Sequence, residues 1–145
     1  MQEQNFKNHA RLVPMYHYVI FTGLLILIAG AVYKLYRNYQ MNIGGLMTPA
    51  LILLAALLIG LVGFYARVFA LKAQDRAIRA EENLRYFAIT GKLLDSKLKM
   101  GQIIALRFAS NNEFVDLAHR AVAENMKPVE IKKAIQHWKA DHYRV

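Results

Sequence analysis

The densest cluster of side chains able to do chemistry lies at the end of the chain: His137, Trp138, Lys139, Asp141, His142, Tyr143 and Arg144. On a helix, His137 and Asp141 fall one turn apart, a spacing at which an imidazole and a carboxylate can share a metal ion. His119 on a neighbouring helix can supply a third ligand. No defined ligand motif frames the three, so the expectation is an amphipathic terminal helix whose Trp138 plugs a core, with no metal. Asp116 and His119 stand at i and i+3, as a base and its orienter would, but solvated helices carry such pairs often by chance. The chain has no Gly-rich phosphate loop, HExxH or nucleophile elbow. It also has no Cys, which removes thiolate zinc sites, thiol nucleophiles and disulfides. The expectation is a non-enzyme with no cofactor.

Charge offers a second route to function. Of a net charge of +9, the stretch from Arg67 to Val145 contributes +6, with 15 Lys/Arg against 9 Asp/Glu. A basic balance suits cytoplasmic topology, anionic lipid head groups or nucleic acid. The basic residues Arg120, Lys127, Lys132, Lys133, Lys139 and Arg144, with Trp138 and Tyr143, can form an RNA- or ribosome-facing patch. Lipid and topology need no further partner, so nucleic acid is the less favoured reading.

The elements that would carry these residues are set by two charge-free stretches, Leu12 to Tyr33 and Asn38 to Ala66, 22 and 29 residues long. A bilayer core about 30 Å thick takes roughly 20 apolar residues of helix, so both can span. The expected spans are residues 13–33 and 46–66, within a hairpin over 1–66. Tyr16, Tyr18 and Phe21 mark one interface of the first span, and Tyr33, Tyr36 and Tyr39 the other. Ala29-Gly30-Ala31 has the form of a signal-peptide cleavage site, but the apolar run from Val19 to Val32 is long for a signal core, which favours an uncleaved helix. Polar residues from Arg37 to Gly45 read as the turn. Lys7 and Arg11 before the hairpin, with Arg67, Lys72, Arg76 and Arg79 after it, outweigh Lys34 and Arg37 at the turn, which puts both termini in the cytoplasm. Small residues, Gly23, Gly30, Ala56, Gly60 and Gly63, are expected where helices meet. His17 sits near the interface, and an ion path would need ionisable groups at depth.

No Pro or Gly interrupts the chain between Tyr65 and Thr90, so the second span should continue as a cytoplasmic arm of about 35 Å, capped at Gly91. Asp75 with Arg79, Arg79 with Glu82, and Glu81 with Arg85 have the spacing of helix-surface ion pairs. Beyond the arm, residues 100–109 read as one helix. Ser110 and Glu113 form a capping box for a second, with Phe114, Leu117, Ala118, Ala121, Val122 and Met126 as its apolar stripe. Pro128 opens a third, whose stripe is Ile131, Ala134, Ile135 and Trp138. With Leu84, Phe87, Leu93 and Leu94, these faces should close a small core over residues 67–145. The predicted fold is thus an all-α membrane protein: a two-helix transmembrane hairpin whose second span continues into a cytoplasmic arm with a small helical bundle.

Several long motifs carry a resemblance: residues 64–67 (FYAR), 74–85 (QDRAIRAEENLR), 102–110 (QIIALRFAS) and 138–145 (WKADHYRV). In these, over nearly its whole length, the chain resembles an uncharacterised family of small two-span bacterial inner-membrane proteins, a domain of unknown function. The resemblance implies the hairpin, the cytoplasmic helical domain and the bacterial inner membrane, and it carries no activity, cofactor or site. The family tends to place Ser or Thr before the helix holding Pro128, where this chain has Lys127.

The functional expectation is a non-catalytic accessory or scaffold subunit of a larger inner-membrane assembly, touching the bilayer, anionic head groups and a membrane-protein partner or second copy. The alternative is a membrane-anchored adaptor for RNA or ribosomes. The partner is expected at Arg76, Arg79, Arg85, Lys139 and Arg144.

Overall fold

The computed structural model describes residues 5, 6, 8 and 12–141. Among the described residues the regular elements are all helices, with α1 at Phe21–Met41, α2 at Met47–Thr90, α3 at Met100–Leu106, α4 at Asn111–Ala123 and α5 at Pro128–Ala134. A wide-turned π segment, Met15–Ile20, leads into α1. The chain divides into two compact units: Leu12–Ala70 forms one, and Leu71 onward forms most of the other.

The first unit is a pair of helices long and apolar enough to cross a membrane. Its turn is shorter than the polar composition suggests, because α1 runs through Arg37 to Met41 and leaves only residues 42–46 between the helices. Asn38 explains the extension. Its carbonyl accepts the Ile43 N–H at 3.3 Å, while its side-chain amide donates to the Gly45 carbonyl at 3.1 Å. Asn42 and Gly44 then reverse the chain with φ of 49° and 73°, where Asn and Gly are tolerated best. On α2, Ala56 is fully buried. A Cβ built on Gly60 would stand 3.1 Å from Leu24 Cδ2, closer than ordinary contact, so a larger residue there requires Leu24 to shift.

In the second unit, α3, α4 and α5 close a core around Leu106, Phe108, Phe114 and Ile131. From α2 it receives Ile78 and Tyr86. Gly101 lets α3 and α5 meet, since a Cβ there would lie 3.1 Å from Pro128 Cγ. Gly91 ends α2 with φ of 73°, its N–H bonded to the Phe87 carbonyl at 2.8 Å.

Two expectations are corrected here. Leu84, Phe87 and Leu93, expected in the core, are exposed. At 100° per residue, Ile78, Glu82, Arg85 and Tyr86 share one face of α2, and Leu84 and Phe87 point the opposite way. The terminal helix also stops early: α5 ends at Ala134, and Ile135 is extended with ψ of 122°. Trp138 instead forms an antiparallel bridge with Ala109. Ser110 N donates to the His137 carbonyl at 3.0 Å and Lys139 N to the Phe108 carbonyl at 2.7 Å. The backbone at 108–110 lies past the end of α3, so its polar groups take the last segment as partner. Trp138 still covers the core, with its ring 5.2 Å from that of Phe108.

Candidate functional site

The polar side chains of the second unit are concentrated where the C-terminal segment meets α2, α3 and α4. Arg85 is the first centre. Its guanidinium bonds Glu82 at 3.0 Å, Asn111 Oδ1 at 2.8 Å and the Ala109 carbonyl at 2.7 Å. It also lies 4.2 Å from the centroid of the Phe114 ring. A planar fork with five donors suits such convergence, which ties α2 to the start of α4. Sequence spacing paired Arg85 with Glu81. The structure pairs it with Glu82, which faces inward beside it.

Arg107 is the second centre, and spacing along the chain gave no sign of it. Buried just past α3, it bonds Asp141 at 3.0 Å. Burial pushes its pKa down, while Asp141 and then Glu82, Asp75 and Glu81 pull it back up. Its Nε is buried with no hydrogen-bond partner. Around it is a groove of about 180 Å³ whose walls include Gln74, Glu81, Glu82, Lys139 and Asp141. Cation and carboxylates there largely neutralise one another, an arrangement suited to fixing the C-terminal segment.

Glu113 is the third. It closes the predicted capping box, accepting the Ser110 N–H at 3.4 Å. It also accepts the N–H groups of Gln136 and His137, each at 3.0 Å. Burial alone would raise its pKa, but these three backbone donors and the nearby His137 outweigh that and hold the carboxyl below its ordinary value.

The residues expected to bind a partner are not gathered into one site. Arg76, Arg79 and Lys139 are exposed. Arg85 is an internal tie, and Arg144 lies outside the described residues. The metal reading loses its geometry, because the segment carrying His137 and Asp141 is not helical and Asp141 is engaged by Arg107. His119 Nε2 lies 3.2 Å from Tyr86 Oη, while Asp116 is exposed on α4. Among the described residues, no three His, Asp or Glu side chains are grouped as a metal site. The basic residues disperse as well: Arg120 pairs with Glu124 at 3.4 Å, Lys132 lies over Phe108, and Tyr143 is outside the described residues. Lys99 and Lys127 stand before α3 and α5, where a lysine side chain offers no acceptor. Gln102 and Glu130 each accept the preceding cap N–H at 2.7 Å, supplying the return half of a capping box.

In the hairpin unit, the small residues separate into two groups. Gly60 faces Leu24 of α1 and Ala56, one turn earlier, is fully buried, whereas a Cβ on Gly23, Gly30 or Gly63 would meet nothing within 4 Å. Gly63 contributes through its carbonyl, which accepts the Tyr16 hydroxyl at 2.8 Å. Near the turn, an apolar crevice of about 580 Å³ opens beside Ile26, Gly30, Pro49 and Ile52, with Lys34 and Asn38 also lining it.

What the second unit leaves bare is apolar as well as basic. Leu84 is 68% exposed and Phe87 51%, on the face of α2 turned away from the core. These features define a class: a small all-helical protein that joins an apolar two-helix hairpin to a helical bundle built on α2. The chain belongs to DUF6526, a family of unknown function, whose family model matches residues 1–145. No curated protein and no solved structure matches it.

Proposed function

We propose that this protein is a non-catalytic subunit of the bacterial inner membrane, anchored by its hairpin with both termini in the cytoplasm, and that its bundle organises other components of a membrane assembly. One observation carries the reading: among the described residues, very little of the hairpin's apolar surface is covered by the protein itself. Only 6% of the most apolar window of the first helix and 11% of that of the second is buried, far less than in the core helix of a soluble protein. Lipid tails or neighbouring membrane helices are the surfaces able to cover them. The bundle supports the second half of the reading. Its strongest polar groups, Arg85, Arg107, Glu113 and Gln102, are bonded inward, and the α2 face it presents outward is suited to contact.

Gentle detergent extraction followed by mass spectrometry tests the assembly. Defined co-purifying membrane proteins are expected. A lone protein recovered under conditions that keep known complexes intact would overturn it, and salt-sensitive recovery of ribosomes or RNA would replace it with the adaptor reading. Topology is tested separately in the Cys-free chain with Asn42→Cys and Asn112→Cys. An impermeant thiol reagent applied to intact spheroplasts should label the first position only, and labelling of the second alone would reverse the orientation.

A further inference from the structure

The outward face of α2 in the second unit has an order that composition conceals. Ala73, Ala77, Ala80, Leu84 and Phe87 follow one another at spacings of four, three, four and three, the alternation of a heptad seam. All five are exposed. On a coiled-coil helix the face opposite the seam points outward to solvent. Here that opposite face is the one holding Ile78, Glu82, Arg85 and Tyr86, already covered by the protein's own bundle. The helix is therefore covered on its outer side and exposed along its seam, with Ala77 at the edge of the Arg107 groove. Leu84 and Phe87 supply the large apolar side chains, and the three alanines allow close backbone approach.

We infer that this seam is a parallel homodimer interface, closed by the same face of a second copy. The argument for a second copy is charge. With Ala77 and Leu84 at the a positions and Ala73, Ala80 and Phe87 at d, Arg76 falls at g and Glu81 at the following e. In a parallel pair, each g residue faces the e residue five places further along the other helix. Arg76 thus meets Glu81 of the second copy, and two-fold symmetry makes the pair twice. Both residues are exposed and, among the described residues, neither forms an ion pair within 4 Å in its own chain, although Glu81 also stands at the wall of the Arg107 groove and attracts that guanidinium at longer range. An antiparallel pair would face g with g and e with e, so Arg76 would no longer stand opposite Glu81. The parallel sense rests on the membrane reading above, because copies inserted with one topology present α2 in one direction. Confinement to a bilayer also raises the effective concentration of a seam too short to be strong alone.

The absence of Cys makes the test direct. In native membranes, Ala77→Cys, Ala80→Cys and Leu84→Cys should each give a disulfide-linked dimer on mild oxidation, because a and d residues meet their own counterparts in a parallel pair. Arg79→Cys, exposed on the flank of the same helix, should not. Equal cross-linking at position 79, or none at the three seam positions in protein whose Trp138 fluorescence is native, overturns the inference. A cross-linked product of other than twice the chain mass also overturns it, by showing a different occupant. In the Ala80→Cys background, Arg76→Glu or Glu81→Arg alone should lower the dimer yield about tenfold, since two pairs become repulsive at once. Both together should restore it, and failure of the restored pair rejects this register. Carbonate extraction of the same membranes reports on anchoring by itself: protein that washes off sinks the membrane reading, while the cross-linking pattern still judges the seam.

Discussion

Replacing Glu113 by Ala should loosen the C-terminal segment before it disturbs the rest of the bundle. The carboxylate accepts two backbone N–H groups at 3.0 Å, from Gln136 and His137, and the Ser110 N–H at 3.4 Å. Hydrogen bonds to a charged group contribute about 1.5–3 kcal/mol where buried, and about 1 kcal/mol each is reasonable at a half-buried carboxylate. With the weakened cap of α4 included, Glu113→Ala should cost about 2–3 kcal/mol. For a domain of this size that corresponds to a fall of about 10–20 °C in unfolding temperature. Glu113→Gln should cost less, about 1 kcal/mol, because one oxygen survives while the new amide opposes a backbone donor. The assay is thermal unfolding in detergent followed by Trp138 fluorescence, with hydrogen exchange over residues 135–141. The Gln136 and His137 amides should lose protection first. The pH dependence follows from the lowered pKa: the contribution is complete above the ordinary carboxylate value of 4.5 and is lost as pH falls below it, through the folded-state value. Glu113→Ala should remove that acid-sensitive component. Wild-type stability within about 0.5 kcal/mol, with both amides still protected, would refute the reasoning.

Gln102→Met should cost about 2–4 kcal/mol by chemical denaturation, because the buried side chain accepts from Lys99 N at 2.7 Å and donates to the carbonyls of Met126 at 2.9 Å and Ala121 at 3.3 Å. A loss below about 1 kcal/mol would mean water replaces those bonds. In the hairpin, Gly60→Leu should lower the thermal aggregation temperature in detergent, whereas Gly23→Leu should not, since only the first site meets a neighbour, Leu24 Cδ2 at 3.1 Å. Equal effects would place the helix contact elsewhere. Leu84→Ala should leave the unfolding of the isolated monomer unchanged to within about 0.5 kcal/mol, because this leucine is exposed there. A core-sized loss would show that it packs inward.

Much of the architecture can be read along the chain because its signals are local. Two apolar runs, the gap between Gly and Pro breakers, the Ser110 and Glu113 spacing and Pro128 before an apolar stripe each depend on neighbours within a turn or two. Helix extents needed more, since Asn38 carries α1 past its apolar stretch by bonding the turn itself. The choice of face on α2 also lay outside local reach. Apolarity alone assigns Leu84 and Phe87 to the core, whereas the bundle takes the side with Ile78 and Tyr86, where Arg85 can satisfy Ala109, Asn111 and Glu82 together. Period identifies the faces of a helix, and only docking decides which is covered. The end of the chain shows the same division. Periodicity extends α5 to Trp138, but the N–H groups of Gln136 and His137 find Glu113, and Asp141 finds Arg107, across more than twenty residues of sequence. Those partners are joined by no spacing rule, because the distance between them is fixed by how α3, α4 and α5 pack.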